Sequence, residues 1–254
     1  MDQATKLLLA VGTEGVVLVV VSFVVLMLYI RYAQRRKPAA LSLAVAFTFY
    51  NIAIICLFIF RILTYLQEIG RLGPTYDYSG IGINLGYAFS ALSNVFIMIF
   101  VAIVFAQSPI FRRTGMLVPL IVGALNGITI GLLIGATING WPTPSYDLGP
   151  TIYHLFLTII SFTSLIVFTV QPHKSAILQW EKAGFQFIIT SGVFGILVYL
   201  FFALDVFLGD IVLIWSSGYT PFFFFAYICA IIMCLFAYLG YVMPNFIRNW
   251  FKGR

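Results

Sequence analysis

Polar residues in this chain gather into short stretches, and between them run apolar segments of about 20 residues or more, long enough for a helix to cross a bilayer core. Seven such segments lie near Leu8–Tyr32, Ala39–Leu66, Gly82–Gln107, Gly115–Ile138, Pro150–Val170, Ala183–Phe207 and Pro221–Met243. Lipid supplies no hydrogen bonds, so a spanning segment must satisfy its own backbone. Uninterrupted runs of this length do so as helices, and the short alternating strands of a barrel are absent. The pattern predicts an all-α, polytopic, seven-transmembrane-helix bundle occupying residues 1–254 as one domain. Pro150 and Pro221 fall where helix starts tolerate proline, the second behind Thr220 as an N-cap.

Two apolar or mixed pieces do not fit the spans. Ile211–Trp215 is too short to cross and predicts an interfacial helix or lid, and Gln171–Lys182 predicts a short amphipathic piece at the other side. Met1–Lys6 is short and polar, and the run behind it is too long for a signal-peptide core, so the first span is expected to be retained.

Composition makes a soluble fold untenable. Hydrophobic residues are 62% of the 254 and charged residues 9%, against about 25% charged in a soluble domain. The few charges are sorted. Of the 14 Lys and Arg, Arg31, Arg35, Arg36, Lys37, Arg112, Arg113, Lys174, Lys182, Arg248, Lys252 and Arg254 fall in segments on one side, leaving Lys6, Arg61 and Arg71 for the other. The positive-inside rule then places the N-terminus outside and the C-terminus in the cytoplasm. The net charge of +6 is thus a topology signal, and no nucleic-acid partner is expected. The localisation expected is multi-pass, in the cell or plasma membrane.

Aromatic residues mark the same two boundaries: Tyr76, Tyr78, Trp141, Tyr146, Trp215 and Tyr219 on the outer side, Tyr29, Tyr32, Trp180 and Trp250 on the inner. The tail from Pro244 to Arg254 mixes aromatic and basic residues, as in a segment lying on an anionic leaflet. Cys56, Cys229 and Cys234 all fall inside spans without CxxC spacing, so they are expected as buried thiols, and neither metal nor cofactor is expected.

The most regular local pattern is in the fourth span, where Gly123, Gly127, Gly131 and Gly135 recur every four residues. Such a stripe lies on one helix face and admits close contact with another helix. It predicts packing within the bundle or, alternatively, an interface of a homo-oligomer. The third span carries a looser version in Gly82, Gly86, Ser90 and Asn94.

Ionisable groups inside spans cost about 2.5–3.5 kcal/mol each at the bilayer centre, which makes them candidates for function. They are Glu14, Arg61, His154 and Asp205, all toward the outer end of their helices, with Asn94 and other asparagines adding neutral donors there. Together Glu14, Arg61, Asn94, His154 and Asp205 predict a polar pocket at the outer face, with Glu14 and Arg61 its expected pair. Snorkelling to the headgroups is the alternative for Arg61 and Asp205, and a place in the interface the alternative for His154.

Catalytic signatures are missing: there is no HExxH, no G-x-S-x-G and no phosphate loop. The seventh span has no lysine for a retinal Schiff base, which excludes the covalent chemistry of microbial rhodopsins. Gln107-Ser108-Pro109 stands where class A receptors carry an acidic-Arg-aromatic triplet. Pro109-Ile110-Phe111-Arg112-Arg113 echoes Pro244-Asn245-Phe246-Ile247-Arg248, but no prolines hinge the span interiors as in sugar carriers built of paired triple-helix halves. The reading is a non-enzymatic, receptor-like or sensory protein that binds a small ligand outside and couples to a membrane or cytoplasmic partner. A small-solute transporter and an accessory subunit of a larger complex docking through the glycine face are the alternatives.

Overall fold

A computed structural model describes residues 2–143, 148–208 and 219–252, with nine α-helices and no strand among them. Seven are long and apolar enough to cross a membrane: α1 (Gln3–Arg35), α2 (Pro38–Glu68), α3 (Tyr78–Val104), α5 (Leu117–Asn139), α6 (Leu148–Ser175), α7 (Gln179–Val206) and α8 (Pro221–Val242). The protein is a multi-pass membrane protein. Two short helices, α4 (Pro109–Thr114) and α9 (Asn245–Lys252), follow the third and last spans. The similar Pro-led sequences at these exits thus fold alike.

Helix ends follow local chemistry more than hydropathy. The Asp77 carboxylate accepts from the Gly80 N–H at 3.0 Å, starting α3 at Tyr78, a turn before the apolar run. Thr220 caps α8, its hydroxyl accepting from the Phe222 N–H at 3.2 Å. Arg36 takes a left-handed conformation (φ 52°) and closes α1 through its N–H to the Tyr32 carbonyl, so α2 can turn back after only Arg36 and Lys37. The separate amphipathic piece expected at Gln171–Lys182 does not exist. α6 runs through Pro172 to Ser175, and α7 begins at Gln179. Proline is tolerated there because it removes one backbone bond close to the helix end, and the Ala176 N–H still closes on the Pro172 carbonyl at 2.9 Å.

Around the bundle, α1 packs on α2, α2 on α3, α3 on both α5 and α6, α6 on α7, α7 on α8, and α8 back on α1. α3 is the most enclosed span, with 56% of its apolar window buried against 28% for α5, which flanks the ring. The core is apolar and aromatic. Val17, Val21, Val24 and Leu28 of α1 repeat at helical spacing and meet Phe47 and Ile54 of α2, Phe100 of α3, and Tyr227 and Met233 of α8 in one cluster. Phe111 anchors α4 to α6, its ring 4.7 Å from that of Phe168.

Of the two expectations for the glycine stripe, packing within the bundle is met at Gly123 alone. Gly127, Gly131 and Gly135 do not pack inside the bundle: a Cβ built on any of them meets nothing within 4 Å, and Gly127 and Gly131 are exposed. Only Gly123 approaches a neighbour, Val95 of α3, at 3.6 Å. The buried face of α5 instead carries Val122, Asn126, Thr129, Leu133 and Thr137, and the stripe looks away from it with Leu120, Ile128 and Leu132.

Close helix approach is made by other glycines. Ideal Cβ atoms on Gly82 and Gly86 would fall 2.6 Å and 2.9 Å from Phe60 and Leu57 of α2. On Gly192 and Gly195 they would meet Ile166 and Phe162 of α6 at 2.6 and 2.5 Å, and on Gly240 the backbone of α7, at 2.9 Å from the Gly184 oxygen. The looser pattern in α3 is therefore the one that packs.

Candidate functional site

The ends of the spans opposite the basic segments carry two polar assemblies, on different sides of the ring. On the side of α1, α2 and α8, Glu14 is fully buried and Arg61 is 8% exposed. The Arg61 Nε donates to Glu14 Oε1 at 3.3 Å, and the Tyr227 hydroxyl donates to the same oxygen at 2.8 Å. Arg61 Nη1 also bonds the Tyr219 hydroxyl, and its guanidinium lies 4.9 Å from the Tyr219 ring centre and 5.6 Å from that of Phe223. The expected Glu14–Arg61 pair thus exists and is walled by aromatic rings. Arg61 does not snorkel, and Tyr219 serves the pair where an interfacial anchor was expected.

Such a pair loses hydration on both charges and regains it only through good geometry and extra hydrogen bonds. Tyr219 and Tyr227 provide such bonds, while Glu14 Oε2 is buried without a partner among the described residues. The pair therefore fixes α1, α2 and the start of α8 in one arrangement. Asp205, near the end of α7 and 9% exposed, accepts from the Thr220 N–H at 2.7 Å, joining α7 to the start of α8.

Across the ring, His154 of α6 is 1% exposed, and neither ring nitrogen has a hydrogen-bond partner among the described residues. Its imidazole is packed by Tyr87 of α3, at 5.3 Å between ring centres, and edge-on by Tyr199 of α7, at 5.6 Å. Tyr199 shares a hydrogen bond with Ser90 of α3. Beside the imidazole lies a cavity of about 180 Å³, lined by Thr151, Leu155, Phe202, Ala203 and Val206 together with these rings. Its wall is overwhelmingly apolar. A buried imidazole left without a partner at such a cavity is the arrangement that a ligand carrying one polar group completes.

Asn94 belongs to neither assembly directly. Its Nδ2 donates to the Thr158 hydroxyl at 2.7 Å and approaches Asn126 Oδ1 at 3.5 Å, tying α3 to α6 and α5. Thr158 in turn donates to the His154 carbonyl at 2.9 Å, so this knot fixes the helical turn that carries the imidazole. Asn51, closer to mid-span, exchanges a hydrogen bond of 3.1 Å with Ser22 of α1. The five candidate residues are thus divided: Glu14 and Arg61 form one buried pair, Asp205 ties α7 to α8, and His154 faces a cavity above the Asn94 knot.

Tyr87, Tyr199, Tyr219 and Tyr227 were not among the sequence candidates. Nothing in hydropathy separates a tyrosine that packs from one that supports a charge. The available signal was position alone: Tyr87, Tyr199 and Tyr227 lie about two turns inside α3, α7 and α8 from the ends facing the polar groups, and Tyr219 just precedes α8. Tyr146, Trp215 and the Ile211–Trp215 piece lie outside the described residues. Among the described residues no group of three His, Cys, Asp or Glu side chains is placed to hold a metal, and the three cysteines are free thiols. Comparison with protein-family models, with curated proteins and with solved structures finds no match for this chain.

Proposed function

We propose that this protein is a non-catalytic, receptor-like membrane protein whose outer half binds a small, mostly apolar molecule in the His154 cavity. The observation that carries the reading is the buried imidazole with two unpartnered nitrogens beside an apolar space. At about 180 Å³ the space is smaller than the roughly 300–1,000 Å³ of drug-sized sites, so the ligand is of the size of one substituted ring. The imidazole supplies its single directional contact.

Coupling follows from connectivity. The cavity wall includes Val206, the neighbour of Asp205, and Asp205 holds Thr220 at the start of α8, whose Tyr227 supports Glu14. Occupancy that shifts the end of α7 therefore bears on the α1–α2–α8 ion pair. The sorted Lys and Arg favour an orientation with the basic end in the cytoplasm, where a partner would read the change.

Phenol and toluene, which share a shape and differ by a hydroxyl, test the site in the purified protein. Phenol is expected to raise the melting temperature more than toluene, and Ala203→Phe, which fills the cavity, is expected to abolish both effects. Equal responses to the two compounds, or a response that survives Ala203→Phe, would sink the reading. Accumulation of phenol in proteoliposomes against a gradient would instead make the protein a carrier.

A further inference from the structure

The opposite, basic end contains a larger cavity, of about 450 Å³, between the ends of α6 and α8, the start of α7 and the short helix α9. Arg35, Trp180, Glu181, Tyr241 and Arg248 line it, and Gly184 and Gly240 stand at its wall without side chains. Arg248 lies over the Trp180 ring, its guanidinium carbon 4.2 Å from the ring centre. Its Nε is buried without a hydrogen-bond partner among the described residues. Glu181 makes no ion pair with any described residue, although two arginines share its cavity.

We propose that this cavity binds the headgroup of an aminophospholipid, the phosphodiester held by Arg248 and Arg35 and the ammonium by Glu181. Charge decides the class. Two guanidinium groups match a phosphate, for which their fork geometry is suited, and the lone carboxylate matches a primary ammonium that donates hydrogen bonds. A headgroup with phosphate alone would leave Glu181 facing an anion, and a quaternary ammonium would give it no donor.

The setting suits a lipid. α9 follows α8 through a left-handed Met243 (φ 43°) and is pinned to α7 by Phe251, whose ring lies 6.3 Å from that of Phe187. It has apolar Ile247 and Phe251 partly buried, while Asn245 and Asn249 are exposed. A short helix of this kind suits the headgroup layer, where its arginine would meet phosphates.

The test uses the full chain purified in dodecyl maltoside, with melting temperatures measured against phosphatidylethanolamine, phosphatidylglycerol and phosphatidylcholine of identical acyl chains. The expected order of stabilisation is ethanolamine, then glycerol, then choline. Arg248→Gln should weaken the apparent affinity for the first two by about tenfold, the loss of one charge-assisted contact worth about 1.4 kcal/mol. Glu181→Gln should abolish the preference for ethanolamine over glycerol. Arg35→Gln, at an exposed position, repeats the first result should Arg248→Gln lower the lipid-free melting temperature. Soluble phosphoethanolamine separates sources: saturable stabilisation by it assigns the site to the headgroup chemistry alone, and stabilisation by the lipid only assigns it to membrane phospholipid. Equal stabilisation by all three lipids, or wild-type lipid responses in both arginine variants, overturns the proposal.

Discussion

Removing one member of the Glu14–Arg61 pair should be far more damaging than removing both. At 3.3 Å and an effective dielectric of about 20, the attraction between the two charges is about 5 kcal/mol. Burial costs several kcal/mol for each ion, so the intact pair contributes little net stability. Arg61→Met leaves a fully buried carboxylate with only the Tyr227 hydroxyl, and such a stranded charge costs about 3–5 kcal/mol. For a chain of this size each kcal/mol moves the melting temperature by about 2–4 °C, which predicts a fall of about 6–20 °C. Glu14→Leu strands Arg61 and should fall comparably, whereas the Glu14→Leu/Arg61→Met double variant should recover most of the loss. Melting curves of the four proteins in one detergent complete a double-mutant cycle. Single variants within about 2 °C of wild type, or a double variant whose loss equals the sum of the singles, would refute the claim that these charges depend on each other.

His154→Leu removes two unpartnered buried nitrogens at similar volume, so it should raise the ligand-free melting temperature, by about 1–3 kcal/mol of stability, while eliminating the preference for phenol over toluene. Gly240→Ala pushes a methyl group to 2.9 Å from backbone atoms of α7 and should destabilise by about 1–3 kcal/mol. Gly127→Ala, in open space on α5, should be neutral or stabilising by up to about 1 kcal/mol; thermal melts of the two side by side check the assignment of packing faces. Asp205→Ala should cost about 1–3 kcal/mol and speed hydrogen exchange at the Thr220 amide, which then lacks its acceptor.

What the sequence makes legible here is what can be read along one dimension. Span number comes from runs of apolar residues, and the sorting of charge to one end from their connecting segments. Depth was legible too, because counting along a helix places Glu14, Arg61, His154 and Asp205 near the same end. Azimuth was not. Glu14 and Arg61 are 47 positions apart, and His154 stands on the far side of the ring, facing α3 and α7. Hydropathy in a membrane helix says little about which face looks inward, since the lipid face and the core face are both apolar.

The glycines make the same point in stronger form. A period of four shows that Gly123, Gly127, Gly131 and Gly135 share a face, and period alone cannot say what that face meets. Besides Gly82 and Gly86 of α3, the tightest contacts fall on Gly192 and Gly195 of α7 and Gly240 of α8, where no repeat draws the eye. What marks them is the partner: Phe162 and Ile166, one turn apart on α6, present bulk to Gly195 and Gly192. A glycine is required where a neighbour projects a large side chain or its own backbone. The informative unit is thus a pair of helices, and Asn126 rather than the glycine stripe marks the inward face of α5, through its polar partner Asn94 across the interface. Buried hydrogen bonding, which lipid cannot satisfy, orients that helix where its apolar residues and glycines leave the choice open.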